Sequence, residues 1–169
     1  MDKTQAFIAA TWRLALATWA IGVSPVVALC QWALETGWNP TGVPGKTPHP
    51  TYNLAGIMGY SGPITYASLG DFIADYLRTM DLAYYAAVRS PGTITEQILR
   101  LGESPWDAGH YREGGGEAGS SLLRMLPDVE AALEQLGKGW LLLPPDQWAA
   151  APQLEEIHHQ AEQIAGESA

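Results

Sequence analysis

Apolar residues run almost unbroken from Phe7 to Leu34, and the residues that interrupt them divide the stretch instead of lining one face of it. Gly22, Ser24 and Pro25 split it in two. The first part predicts a helix from about Thr4 to Ile21, stopped by Gly22. The second has Ser24 as N-cap, Pro25 as first helical residue and Gly37 as the left-handed stop. Neither shows the polar face of a surface helix, which places both in the middle of an all-α domain. Arg13 and the Gly22–Pro25 break argue against a membrane span.

Beyond Trp38 the pattern changes. Asn39, Pro40, Gly42, Pro44, Gly45, Pro48 and Pro50 exclude helix as far as about Tyr52. Asn53 to Gly59 is a short apolar stretch, and Tyr60 to Tyr66, around Gly62-Pro63, predicts a minimal hairpin turning back along it. Ser68 opens a helix with Asp71 at the capping-box position and Phe72, Tyr76, Leu77 and Met80 at helical spacing. A short helix through Tyr84 and Val88 follows, broken at Ser90-Pro91-Gly92. Thr93 and Glu96 form a capping box that leads into Ile94 to Leu101, with Gly102 as the stop. Ser104 to Gly116 is irregular, and helix returns from Glu117 to Leu136, kinked at Pro127 and stopped by Gly137.

The organisation is thus a helical body, residues 1–138, and an appendage, residues 139–169. The appendage has a Pro144-Pro145 linker followed by Leu154, Ile157, Ala161 and Ile164 at the spacing of an amphipathic helix, suited to packing on the body or to a self- or virion-protein contact. Glu155 with His159, and His158 with Glu162, stand four apart. That spacing suits a metal pair and also any solvated helix face, and the solvated face is the preferred reading.

Composition narrows the partners. With 169 residues, 47% of them hydrophobic and 16% charged, the chain can bury one catalytic-size core. A net charge of −9 argues against nucleic acid, which demands clustered Lys and Arg. Cys30 is the single cysteine, expected as a small core hydrophobe with no intramolecular disulfide. The four histidines, His49, His110, His158 and His159, match no metalloprotease signature, so no metal or cofactor is assigned. No small-residue cleavage site follows a short apolar stretch, so no signal peptide is expected.

Glu35 carries the chemical interest. It lies in the last turn of the second helix, where the negative end of the helix dipole and the apolar residues before it both disfavour a charged carboxylate. A raised pKa follows, and a carboxylic acid still protonated near neutral pH is what a general acid requires. The bland alternative is a solvated carboxylate at a helix end.

Several motifs in order then carry a family resemblance: G-V-S-P-x-V-x-L-x-Q-x-A-L-E-T-G-W from Gly22, N-L-x-G-I from Asn53, Y-x-S-L-x-D-x-x-x-D-Y from Tyr66, and Y-Y-A-A-V from Tyr84. The chain from about Phe7 to Leu126 resembles the glucosaminidases of glycoside hydrolase family 73, the flagellar and autolysin type of peptidoglycan hydrolase. The resemblance implies a mainly α, lysozyme-like fold with a groove for a glycan strand, cleavage of the β-1,4 bond after N-acetylglucosamine, and Glu35 as the catalytic acid. It also implies a functional tyrosine in the late loop, matched here by Tyr111. The family's second acid belongs on a β-lobe, but Tyr60 to Thr65 holds no Asp or Glu. Three routes remain open. Asp107, in the second irregular segment, could supply the carboxylate; the substrate's N-acetyl group could assist; or one glutamate could act as acid and then base while the sugar's own hydroxyl attacks, as in a lytic transglycosylase. A muramidase using the same Glu35 is the other alternative activity.

Trp38, Tyr66 and Trp106 sit in or beside the loops, where aromatic faces suit sugar rings as well as loop anchoring. Asn53 suits hydrogen bonding its own loop or contacting substrate. The resulting expectation is a peptidoglycan hydrolase, a phage endolysin in the host cytoplasm before release to the wall or a virion-associated lysin. The contrasting expectation is a non-catalytic wall-binding or tail-structural module.

Overall fold

The computed structural model describes residues 1–46, 48–107, 109–144 and 163. Six α-helices and one two-stranded hairpin make up the described body: α1 (Lys3–Leu16), α2 (Pro25–Thr36), β1 (Met58–Gly59), β2 (Gly62–Pro63), α3 (Leu69–Met80), α4 (Ala86–Arg89), α5 (Ile94–Glu103) and α6 (Ser120–Gln135). The strands are antiparallel, pairing Met58 with Pro63 and Gly59 with Gly62.

The central element is α2. Ser24 accepts the Val26 N–H, Pro25 opens the helix, and Gly37 closes it at φ 57°. Every residue from Pro25 to Ala33 is buried, with α1, α5 and α6 packed around the helix. On the α3 side Trp32 meets Phe72 and Tyr76 edge to face, with ring centroids 5.4 and 5.3 Å apart. Truncating a fully buried Trp32 would cost about 3–5 kcal/mol. Cys30 is fully buried here, and burial pushes its thiol far above the usual range.

Four local expectations need correction. The first helix does not run to Ile21. It ends at Leu16 and tightens into a 3-10 turn over Ala17–Ile21, where the Thr18 hydroxyl donates to the Ala15 and Val23 carbonyls and draws the chain inward. Nor is α1 buried all round: Ala9, Ala10 and Arg13 are exposed, and small alanines had concealed a solvent face. Gly102 is not a helix stop. It lies within α5, where an added Cβ would come 2.1 Å from the Gly119 nitrogen, so its missing side chain allows α5 and the start of α6 to touch. That start is Ser120, not Glu117, because Gly119 takes up the left-handed conformation at φ 80°.

The loop after α2 is held by paired main-chain bonds, Val43 N–H to Asn53 O at 2.9 Å and Tyr52 N–H to Thr41 O at 2.8 Å. At the other end of the body, Gly139–Leu142 forms a 3-10 turn that sends Leu141 into the core. The sequence-predicted C-terminal helix through Leu154, Ile157, Ala161 and Ile164, with its His and Glu pairs, lies outside the described residues.

Candidate active site

Helix α2 delivers Glu35 to the body surface at the point where the chain turns into the loop. Gly37 and Trp38 both take positive φ, at 57° and 69°, and Trp38 N–H bonds back to Ala33 O at 3.1 Å. This double turn ends the helix one residue after Glu35 and leaves its carboxyl half-buried.

Two segments distant in sequence close around the carboxyl. Tyr111 donates its phenol proton to Glu35 Oε1 at 2.6 Å. On the other oxygen the backbone at Gly56 passes close by: a Cβ there would sit 2.9 Å from Oε2, and φ is +65°, so only glycine fits this place without strain. Burial holds the Glu35 carboxyl above the ordinary carboxylate range. The Tyr111 hydrogen bond and the neighbouring His110 pull it back down in part, and Asp107 adds to the rise. The direction is the one expected from the sequence, with burial as its main cause. The Tyr111 phenol is itself pushed well upward, by burial first and then by Glu35, so it remains a neutral donor.

Asp107 is 3% exposed, and its carboxylate accepts the Tyr111 main-chain N–H. In this arrangement it shapes the loop that presents Tyr111. Asn53 is fully buried and ties three strands of loop together: its amide donates to Ile57 O at 2.8 Å and Ile64 O at 3.0 Å, and its carbonyl accepts Ile57 N–H at 2.9 Å. This matches the loop-holding reading, and it sets the position of Gly56. Trp38 is half-buried, edge to face with Phe7 at 5.6 Å. Trp106 is half-buried, donates to Ala55 O at 3.3 Å and meets Tyr76 and Tyr85 at tilted angles, with ring centroids 5.4 and 5.6 Å away. Tyr66 donates to Asp75 at 2.6 Å, which with burial raises its phenol, and packs on Phe72.

Glu35, Tyr111 and Asp107 therefore share one locus, with Trp106 anchoring the next piece of loop. Gln31, Tyr76 and Gly56 also belong to it and were missed in the sequence. A usable signal existed for Gln31, a polar side chain in an apolar helix four residues before Glu35 and hence on the same face. Among the described residues no cluster of His, Cys, Asp and Glu could hold a metal.

A sizeable hollow lies elsewhere. About 670 Å³ in volume and mostly apolar, it sits at the N-terminal end of α2 between Trp19, Pro91, Ile94, Leu126 and Leu142. One helix length, about 16 Å, separates it from Glu35. A smaller hollow of about 320 Å³ runs beside the hairpin, between Lys46 and Gly59–Thr65. The chemistry at the Glu35 end, not cavity size, makes it the candidate site.

No protein-family model matches the chain, and no curated protein matches its sequence. Among solved structures it is similar to the glycoside hydrolase domain from Salmonella typhimurium FlgJ, with a TM-score of 0.62 and 22% identity over 83% of this chain and 96% of that domain. The match extends over nearly the whole neighbouring domain, so the fold of this chain is the mainly helical, lysozyme-like architecture with a minimal hairpin that the sequence led us to expect.

Proposed function

We propose that the chain is a peptidoglycan hydrolase that cleaves the β-1,4 glycan backbone as an endo-β-N-acetylglucosaminidase, with Glu35 as general acid. The observation that carries this reading is the half-buried Glu35 carboxyl, bonded through one oxygen to Tyr111 and held protonated to higher pH by burial. The likeness in fold to a glycoside hydrolase domain supports it.

Glu35 gives its proton to the glycosidic oxygen as the bond from that oxygen to the anomeric carbon breaks, and it is left as a carboxylate. Tyr111 then stabilises the new charge through the hydrogen bond already in place. Trp38, Tyr66 and Trp106 offer ring faces to the sugars on either side, their polar ends being engaged within the protein where they have partners.

A reaction with one carboxylate is favoured by a specific observation: Asp107 is buried against the Tyr111 main chain, and the hairpin holds no acid. The sugar itself then supplies the nucleophile, either its N-acetyl group or, in a lytic transglycosylase, its own hydroxyl.

Turbidity clearing of purified cell walls tests the reading. No clearing by the wild type, or equal clearing by Glu35→Gln, would sink it. Mass analysis of the fragments then distinguishes the chemistry: reducing N-acetylglucosamine ends for a glucosaminidase, reducing N-acetylmuramic ends for a muramidase, anhydro-muramic ends for a transglycosylase.

A further inference from the structure

Polar side chains inside the core form one line that ends on Glu35. Tyr76 donates its phenol proton to Gln31 Oε1 at 2.8 Å, Gln31 Nε2 donates to the Tyr111 oxygen at 3.0 Å, and Tyr111 donates to Glu35 Oε1. At the far end Trp32 packs edge to face on the Tyr76 ring, with ring centroids 5.3 Å apart. Trp32, Tyr76 and Gln31 are fully buried and Tyr111 nearly so, which keeps water from competing for these groups.

A line of hydroxyls and an amide can run in either direction. Were the Gln31 amide turned over, Tyr111 would donate to Gln31 and present Glu35 with a lone pair in place of a proton. In the structure the Tyr76 proton points at Gln31, Oε1 of Gln31 is the acceptor and Nε2 the donor, and the Tyr111 proton is directed onto Glu35. Each bond polarises the next in the same sense.

We propose that Tyr76 and Gln31 are positioning residues that fix the direction of this line. They thereby deliver a donor to Glu35 Oε1 and leave Oε2, the oxygen beside Gly56, to carry the acid proton. The proposal rests on Glu35 being the general acid. During cleavage the proton leaves Oε2 for the glycosidic oxygen, the electron pair of the breaking bond stays on that oxygen, and the carboxylate keeps its bond from Tyr111. The titratable groups acting on Glu35 are Tyr111, His110 and Asp107, all from the segment between α5 and α6, and of these Tyr111 is itself bonded to the Gln31 amide.

The test combines kinetics on soluble glycan fragments with a titration of Glu35 by NMR of 13C-labelled glutamate. In Gln31→Met, which keeps side-chain length and removes both polar atoms, kcat falls roughly tenfold to a hundredfold with KM within about twofold. The Glu35 midpoint moves to higher pH, because the bond that favours the carboxylate is no longer held in place. Adding Gln31→Met to Tyr111→Phe loses little beyond Tyr111→Phe alone. Tyr76→Phe, which removes a single oxygen, moves the midpoint the same way by less and serves if Gln31→Met does not fold. An unchanged midpoint in these variants, or losses that simply multiply, would overturn the proposal. If the wild type cleaves no glycan, the enzymatic reading fails, while the midpoint still decides whether Gln31 and Tyr76 direct the line.

Discussion

Near the start of α2, Gln97 of α5 accepts the Ser24 N–H at 2.8 Å and donates to Gly22 O at 2.8 Å and Ser90 O at 3.3 Å. Near the end of α2, the side-chain bonds of Gln31 run to Tyr76 and Tyr111. Both amides are buried, at 4% and 0% exposure, and both are satisfied at either end. One stitches main chain to main chain, closing the 3-10 turn before α2 against α5. The other connects side chains and ends on a carboxyl whose charge can change. A buried amide bound to backbone is explained by folding alone. One bound only to side chains that lead to an ionisable group calls for a further reason, and Glu35 supplies it.

The sharpest break of this comparison lies at Glu35 itself. Glu35→Gln should lower wall-clearing activity about a thousandfold while the circular dichroism spectrum stays native, since general acid catalysis contributes roughly 10²–10⁴ in rate. Tyr111→Phe should reduce kcat about tenfold to a hundredfold. It should also move the high-pH limb of the kcat/KM profile upward, because the lost bond had favoured the carboxylate. A limb that stays in place or moves down would separate Tyr111 from Glu35.

At the opposite end, Gln97→Met should leave kcat/KM within about twofold yet destabilise the fold by about 1–3 kcal/mol, measured by urea unfolding, because Ser24 and Gly22 lose buried partners. Loss of activity at full stability would contradict the division between the two glutamines.

The smallest effect concerns pH and stability. Because the folded protein raises the Glu35 pKa, its protonated form favours folding at low pH. That contribution is lost as pH rises from the ordinary carboxylate value through the raised one. Glu35→Gln should therefore match the wild type in melting temperature near pH 4 and exceed it by about 2–4 °C near pH 8. A wild type that is the more stable at pH 8 would mean the ionised carboxylate is well accommodated.

Much of the site was legible because its signals are local. Ser24, Pro25 and Gly37 mark both ends of α2, and so Glu35 falls in its last turn whatever packs around it. The hairpin at Gly62-Pro63 and the Thr93–Glu96 capping box were readable for the same reason. Gly102 shows the limit. A glycine after an apolar run reads as a stop, yet here it answers to Gly119, seventeen positions on and against it in space. Asp107 shows it too, since a carboxylate in a loop suggests chemistry until the main chain it binds is seen.

Caps, prolines and apolar spacing act within a few residues, so both ends of α2 and the carboxyl at its exit could be read from the chain alone, whereas the ends of α1 and α5 and the start of α6 could not. What Glu35 meets depends on packing between distant segments. Tyr111 lies 76 positions away and Tyr76 is 45 from Gln31, and such pairings follow from how the described helices and loops close on one core. The direction of the hydrogen bonds that link them, and with it the donor that Glu35 meets, exists only once that core has formed.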